Sequence, residues 1–188
     1  MILREPFPPD IRVEKEARAL ISAGFEAFLL SLTRKPHQKE TETIEGIYVR
    51  RAPARKNIIT RKVLPFLYYP TFRDLIDERS IKNFVLENDI DILHVHDLPL
   101  VKSTLAVGNK FGLVTVADLH ENYPDLVQVS AFKPSWKWQN IYYNYTWWSA
   151  YERRILCKVP YIIVVVDEMK DRLVRLGIDP AKITVVSN

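Results

Sequence analysis

Apolar residues along the chain recur in two alternating patterns, helical spacing and short unbroken runs. Over residues 11–23, Val13, Ala17, Leu20 and Ile21 fall on one helical stripe. Asp10 stands where an N-cap belongs, and Gly24 where a chain leaves a helix in the left-handed conformation. The run Phe25 to Leu32 is short and apolar, which predicts a buried strand, and Ile2 to Arg4 predicts a shorter one before the helix. Residues 33–43 are polar and read as a loop. Ile44 to Arg51 reads as a strand with Ile47 and Val49 on one side, and 52–70 is irregular between Pro53, Pro65 and Pro70.

Helical spacing returns over 71–87 through Leu75, Ile81, Phe84 and Val85. Asp91 to Asp97 predicts a strand, Leu98 to Phe111 a helix, and Leu113 to Ala117 another strand that runs into the polar burst Asp118-Leu-His-Glu-Asn-Tyr-Pro124. A long helix is predicted over Ser135 to Lys158, ended by Pro160. Tyr161 to Val166 predicts a strand buried on both faces. Asp167 then caps a helix over 168–176, stopped by Gly177, and Ile183 to Val186 forms the last strand. Strands that alternate with helices, in runs of Val and Ile, indicate a doubly wound, Rossmann-like parallel α/β sheet with helices on both faces. About seven strands are expected, in one domain spanning 1–188.

Composition narrows the class. Apolar residues make up 47% and charged residues 27%, which excludes a disordered chain. No run approaches the ~18 apolar residues of a membrane-spanning helix, and no secretory leader is visible at the start. Cys157 is the sole cysteine, so neither a disulfide framework nor a cysteine-rich zinc site is possible, in keeping with a cytoplasmic location. The 27 Lys+Arg against 23 Asp+Glu give a net charge of only +4, with acids interspersed throughout. Nucleic acid is therefore not an expected partner.

In open parallel sheets ligands bind beyond the carboxyl ends of the strands. Three polar clusters fall there: Phe7-Pro8-Pro9-Asp10 with Arg12, His94-Val95-His96-Asp97, and Asp118 to Asn122. Together they predict one cleft, lined by Pro9, Asp10, Arg12, His96, Asp97, His120, Glu121 and Asn122. Neither G-x-G-x-x-G nor a phosphate-binding P-loop is present, so the chain carries no nucleotide motif of its own. His94, His96, His120 and Asp97 are suitable ligands for zinc or manganese. Without a metal-peptidase helix pattern, a metal hydrolase is the weaker reading, and no metal is expected in the site.

Four stretches in order resemble the N-terminal domain of the GT-B glycosyltransferases, in particular the retaining family four. They are Phe7 to Ala17, the Asp91 to Asp97 strand with its H-x-H-D ending, Thr115 to Glu121, and Tyr151-Glu-Arg-Arg154 leading through Tyr161–Asp167 to Ile183–Asn188. This chain has Pro9-Asp10-Ile11 where the family often places two glycines. The resemblance implies an acceptor-side half that works with a C-terminal domain, in the same or a separate chain, holding a UDP- or GDP-sugar. It implies sugar transfer with retention to a glycan or lipid-linked acceptor, no cofactor in this chain, and no transfer by this chain alone. His120 matches the family histidine that reaches the transferred sugar, which makes it the candidate catalytic residue. A non-catalytic sugar- or lipid-binding subunit of a split enzyme is the alternative.

All four tryptophans lie within 132–158, interleaved with cations. Trp136, Trp138, Lys133 and Lys137 are candidates for contact with a membrane surface, which would make the protein peripheral on the cytoplasmic face. The basic and aromatic stretch 55–70 is a second candidate. Ile141, Tyr145, Trp148 and Ile155 equally fit a core stripe at helical spacing.

Overall fold

β1 (Ile2–Leu3) leads into α1 (Ile11–Ser22), which returns the chain to β2 (Phe28–Ser31). The computed structural model describes residues 1–53, 68, 71–131 and 144–187. β3 (Thr41–Ile44) and β4 (Ile47–Arg51) form a hairpin; α2 (Leu75–Asn88), β5 (Ile92–His96), α3 (Leu98–Phe111) and β6 (Val114–Leu119) follow. Then come α4 (Tyr123–Ala131), α5 (Tyr145–Leu156), β7 (Tyr161–Val164), α6 (Asp167–Arg175), a 3-10 turn (Pro180–Lys182) and β8 (Ile183–Val185). The strands form one eight-stranded sheet in the order β3-β4-β2-β1-β5-β6-β7-β8. Every pair is parallel except β3–β4.

Strand alternation sorts side chains onto two faces. On one face Ile2, Leu30, Leu93, Val95, Ala117, Leu119, Ile162 and Val164 pack under α2, α3, α5 and α6, through Ile81, Phe84, Leu105, Ile155 and Leu173. On the other, Leu3, Leu29, Ile47 and Val49 pack under α1 through Val13 and Ala17. Beyond α1, among the described residues, that second face is uncovered over β5–β8, so Ile92, Val114 and Tyr161 stand in solvent. Gly108 marks a close helix–sheet approach. A methyl group on it would lie 2.4 Å from Thr115 Oγ1, so α3 sits on β6 more closely than any other residue would permit.

Several boundaries differ from expectation for identifiable reasons. The polar stretch before Ile44 is not all loop: Thr41–Ile44 pairs antiparallel with β4 across the two-residue turn Glu45-Gly46, both at positive φ. An edge strand half open to water needs few apolar residues, so its pattern is weak. Tyr123–Ala131 is a helix absent from the expected set, with Pro124 in its first turn, where proline is tolerated. Of the helix expected over Ser135 to Lys158, residues 135–143 lie outside the described residues; α5 opens at Tyr145, where Asn144 is extended and its side chain accepts from the Trp147 N–H. Leu75 lies outside the core, and Asp167 sits in the first turn of α6 behind an N-cap at Val166. β7 is buried on one face only: Tyr161 is 58% exposed while Ile162 and Val164 are enclosed.

Candidate functional site

The strand order reverses between β1 and β5, with β2 and β4 leading one way and β6–β8 the other. The carboxyl ends at such a switch point form the crevice of a doubly wound sheet. The loop after β1, the N-terminus of α1 and the tips of β5 and β6 meet there. Buried Arg51 anchors that loop from β4, donating through Nε to the Phe7 carbonyl (2.7 Å) and through Nη1 to the Lys39 carbonyl (2.8 Å), with Glu42 paired to Nη2. Gln38 adds a donor to the Phe7 carbonyl at 3.1 Å.

Asp10 caps α1, its carboxylate accepting from the Arg12 and Val13 N–H groups (3.2 and 3.4 Å). The Arg12 guanidinium grips the same carboxylate at 3.2 and 3.1 Å. Two N–H groups that an incoming phosphate would otherwise use are thus already engaged, and donating to the Asp10 carboxylate raises the Arg12 pKa. Arg12 also feels the charges of Asp97 and Glu121, which places the α1 start beside both strand tips. Pro9 and Glu121 are exposed on this rim. Asn122 turns away, donating from Nδ2 to Asp125 at the start of α4.

Asp97 adopts φ 67°, ψ 145°, a region bordering one that essentially only glycine occupies. Such strain costs about 1–3 kcal/mol, and it is held by the Asp97 N–H donating to the Asp118 carbonyl at 2.9 Å. Burial raises the Asp97 carboxyl despite His120 and Arg12 nearby.

Beneath the rim lies a cluster that the sequence reading only half identified. His94 Nε2 is 3.1 Å from Asp118 Oδ2, and His96 Nδ1 is 3.1 Å from His120 Nε2. Asp118 Oδ2 also lies 3.4 Å from His120 Nε2 and 3.5 Å from His96 Nδ1. The three rings stack in succession, with centroids 4.7 and 5.5 Å apart. Glu16 reaches in from α1, 3.7 Å from His94 Nε2 and 3.9 Å from His96 Nε2. Two signals pointed to Glu16, which was missed, and to Asp118, which was named at its strand end but left out of the expected cleft lining. Glu16 falls within the apolar stripe between Val13 and Ala17, and Asp118 continues the Val114, Val116 alternation with a charge.

Burial, reinforced by Asp118, pushes the Glu16 carboxyl up to about 8. Burial also works to raise Asp118, but hydrogen bonds from His120 and His94 hold it far below the carboxylate range. Burial, then the charge of His94, lowers the His96 imidazole well below its usual value. For His120, burial is outweighed by the hydrogen bond and charge of Asp118, so the ring keeps its proton to higher pH than a free histidine. Asp118 is therefore the cluster's anionic centre. The His120 side chain is 2% exposed, beside Asp118, His96 and Glu16, and its Nδ1 finds no protein partner. Glu16, His94, Asp118 and His120 line the upper end of a trough of about 790 Å³ that runs between α1 and the open sheet face.

The sequence model of Glycosyltransferase Family 4 matches residues 11–188. The chain belongs to that family. Among curated proteins nothing matches it. Sucrose-phosphate synthase from Thermosynechococcus elongatus is similar in structure at TM-score 0.64 and 12% identity, covering 99% of this chain and 47% of that one. Os79 from O. sativa in complex with UDP aligns at 0.60 and 14% identity (100% of this chain, 52% of that one). A UDP-glucosyltransferase from Polygonum tinctorium aligns at 0.57 and 11% (100% and 51%). The chain thus spans about half the length of each. Its sheet is the Rossmann-like fold of the GT-B glycosyltransferases in the arrangement of an N-terminal, half-sized domain, and it is a glycosyltransferase domain.

Trp136, Trp138, Lys133 and Lys137 lie outside the described residues, as does most of 55–70. In the described part of the aromatic tract, Trp148 and Tyr151 belong to the core, with Phe72 stacked on Tyr151 at 4.1 Å and Tyr68 and Tyr123 packed around Trp148. Ile155 also joins that core, whereas Tyr145 and Trp147 face solvent. Among the described residues no helix is long and apolar enough to cross a membrane.

Proposed function

We propose that this domain is the acceptor-binding half of a retaining glycosyltransferase that moves a sugar from a nucleotide-sugar to a polysaccharide or lipid-linked glycan. One observation carries the reading: the α1 start, the β5 tip and the β6 tip bring Arg12, Asp97 and Glu121 together at the switch point, with His120 buried directly beneath them. Carboxylates and a guanidinium around a polar crevice suit the hydroxyls of a glycan, each of which needs a donor or acceptor once desolvated. His120, held by Asp118 and His96 beneath the rim, keeps a buried Nδ1 without a protein partner, which suits a positioning and electrostatic role toward a sugar seated in the crevice above it. The donor is held on a second domain, in the same or another chain. That donor is a UDP- or GDP-sugar.

The test pairs this chain with donor-binding second domains and measures sugar transfer. Transfer is expected only from the pair, and His120→Ala is expected to lower kcat by about 100-fold with a smaller change in KM. Transfer by the chain alone would overturn the division of labour. Peripheral membrane contact belongs to the same reading, with a cytoplasmic site of action. Its support is exposed Trp147 beside Lys102, Arg154 and Lys158 around a groove of about 280 Å³. Co-sedimentation with anionic liposomes tests it, and binding indifferent to anionic lipid would remove it.

A further inference from the structure

We infer that Glu16, His94, His96 and Asp118 form a binding site for a single divalent transition-metal ion, best fitted by zinc, that ties α1 to the tips of β5 and β6. This departs from the sequence expectation of a metal-free site, and it stands independently of the acceptor reading.

Geometry carries it. One donor atom from each of the four residues lies within 4.8 Å of the others. Zinc bonds of ~2.1 Å in a tetrahedron place neighbouring ligands about 3.4 Å apart. Three of the six separations lie near that edge, His94 Nε2–Asp118 Oδ2 at 3.1 Å, His94 Nε2–Glu16 Oε2 at 3.7 Å and His96 Nε2–Glu16 Oε2 at 3.9 Å, and the rest fall within the 4.8 Å span. Two imidazoles and two carboxylates are a donor set that zinc accepts and that calcium and magnesium, which favour all-oxygen shells, do not.

A second observation points to a ligand. His96 is 1% exposed, and its Nε2, facing Glu16, has no hydrogen-bond partner; the buried Glu16 Oε2 lacks one as well. Buried polar atoms are seldom left unpaired, and two facing each other across a gap of ligand–ligand width are what an ion would satisfy. Support from outside the shell is in place: His96 Nδ1, 3.1 Å from His120 Nε2, gives the ligating ring a fixed tautomer and orientation. The open trough provides the entry path. With four protein donors the site is closed and structural. It pins the middle of α1 against β5 and β6, and through His96 it fixes the ring of His120.

The experiment strips the full chain with a chelator and titrates it with zinc sulfate alone, following stoichiometry, affinity and thermal unfolding. One zinc per chain and a raised Tm are expected, with magnesium giving neither. Loss of outer-shell partners weakens metal sites by about 10–100-fold, so Glu16→Gln and His94→Ala are expected to weaken zinc binding by more than about 100-fold. His37→Ala, at an exposed histidine outside the cluster, is expected to leave it unchanged. Should either ligand variant fold poorly, cobalt(II) added to the unsubstituted chain gives a second readout: intense visible bands of tetrahedral coordination, without the thiolate charge transfer that Cys157 would give. Absence of saturable one-to-one binding, binding indifferent to Glu16→Gln, or a thiolate signature would each overturn the site. Sugar transfer enters none of these measurements, so failure here leaves the acceptor reading standing.

Discussion

The two faces of the sheet are built on different terms. One is closed by α2, α3, α5 and α6 over a continuous apolar core. Among the described residues the other has α1, then a buried polar cluster, then open strands. Within β5 the contrast falls between neighbours: Leu93 is 1% exposed and Ile92 46%. Stability is thus concentrated on the face that has no chemistry, which leaves the opposite face free to hold unpaired donors and a strained turn. A side chain's contribution here depends less on its strand than on which way the pleat points it.

Four single substitutions and one double replacement sharpen or break this contrast. Leu93→Ala is expected to cost about 2–5 kcal/mol in denaturant unfolding, the ordinary loss for a large core residue. A value near zero would erase the distinction between the faces. Arg172→Ala should follow at about 3 kcal/mol, because it strands Glu152 in the helical layer, where Arg172 now meets its carboxylate at 2.7 and 2.8 Å. Replacing both partners together, with Glu152→Leu and Arg172→Met, should restore most of that loss. On the chemical face the sign inverts. Asp97→Gly relieves the backbone and should stabilise the fold by about 1 kcal/mol while lowering transfer by the assembled enzyme, since the rim loses a carboxylate. A variant that is both less stable and fully active would show that the strain belongs to folding rather than to the site. The smallest effect is expected from Ile92→Ser, within about 1 kcal/mol by the same unfolding measurement.

The fold was legible because its signals repeat. Asp10 and Gly24 bracket α1, Gly112 ends α3 at positive φ, and the apolar runs of β5 to β8 recur at βα spacing. What escaped were features fixed by tertiary partners. β3 exists because β4 offers it hydrogen bonds, and α5 opens at Tyr145 because the Asn144 side chain caps it. Periodicity alone also could not show that β7 lacks a cover on one side, because a Val/Ile run reads the same whether one face or both are packed. The rim residues could be read from their positions at strand ends. The cluster beneath was only partly legible: H-x-H announces two rings, but the approach of Glu16 depends on how α1 lies across β1 and β5, which no local pattern encodes.

Gly108 gives this architecture a mechanical corollary. The helix that begins one residue after Asp97 is seated on Thr115 with no slack between them. A single methyl group at position 108 would act as a wedge under the far end of that lever, tilting its near end, where the strained aspartate hangs. A change more than ten residues from the rim would then detune it without touching any group that meets a sugar.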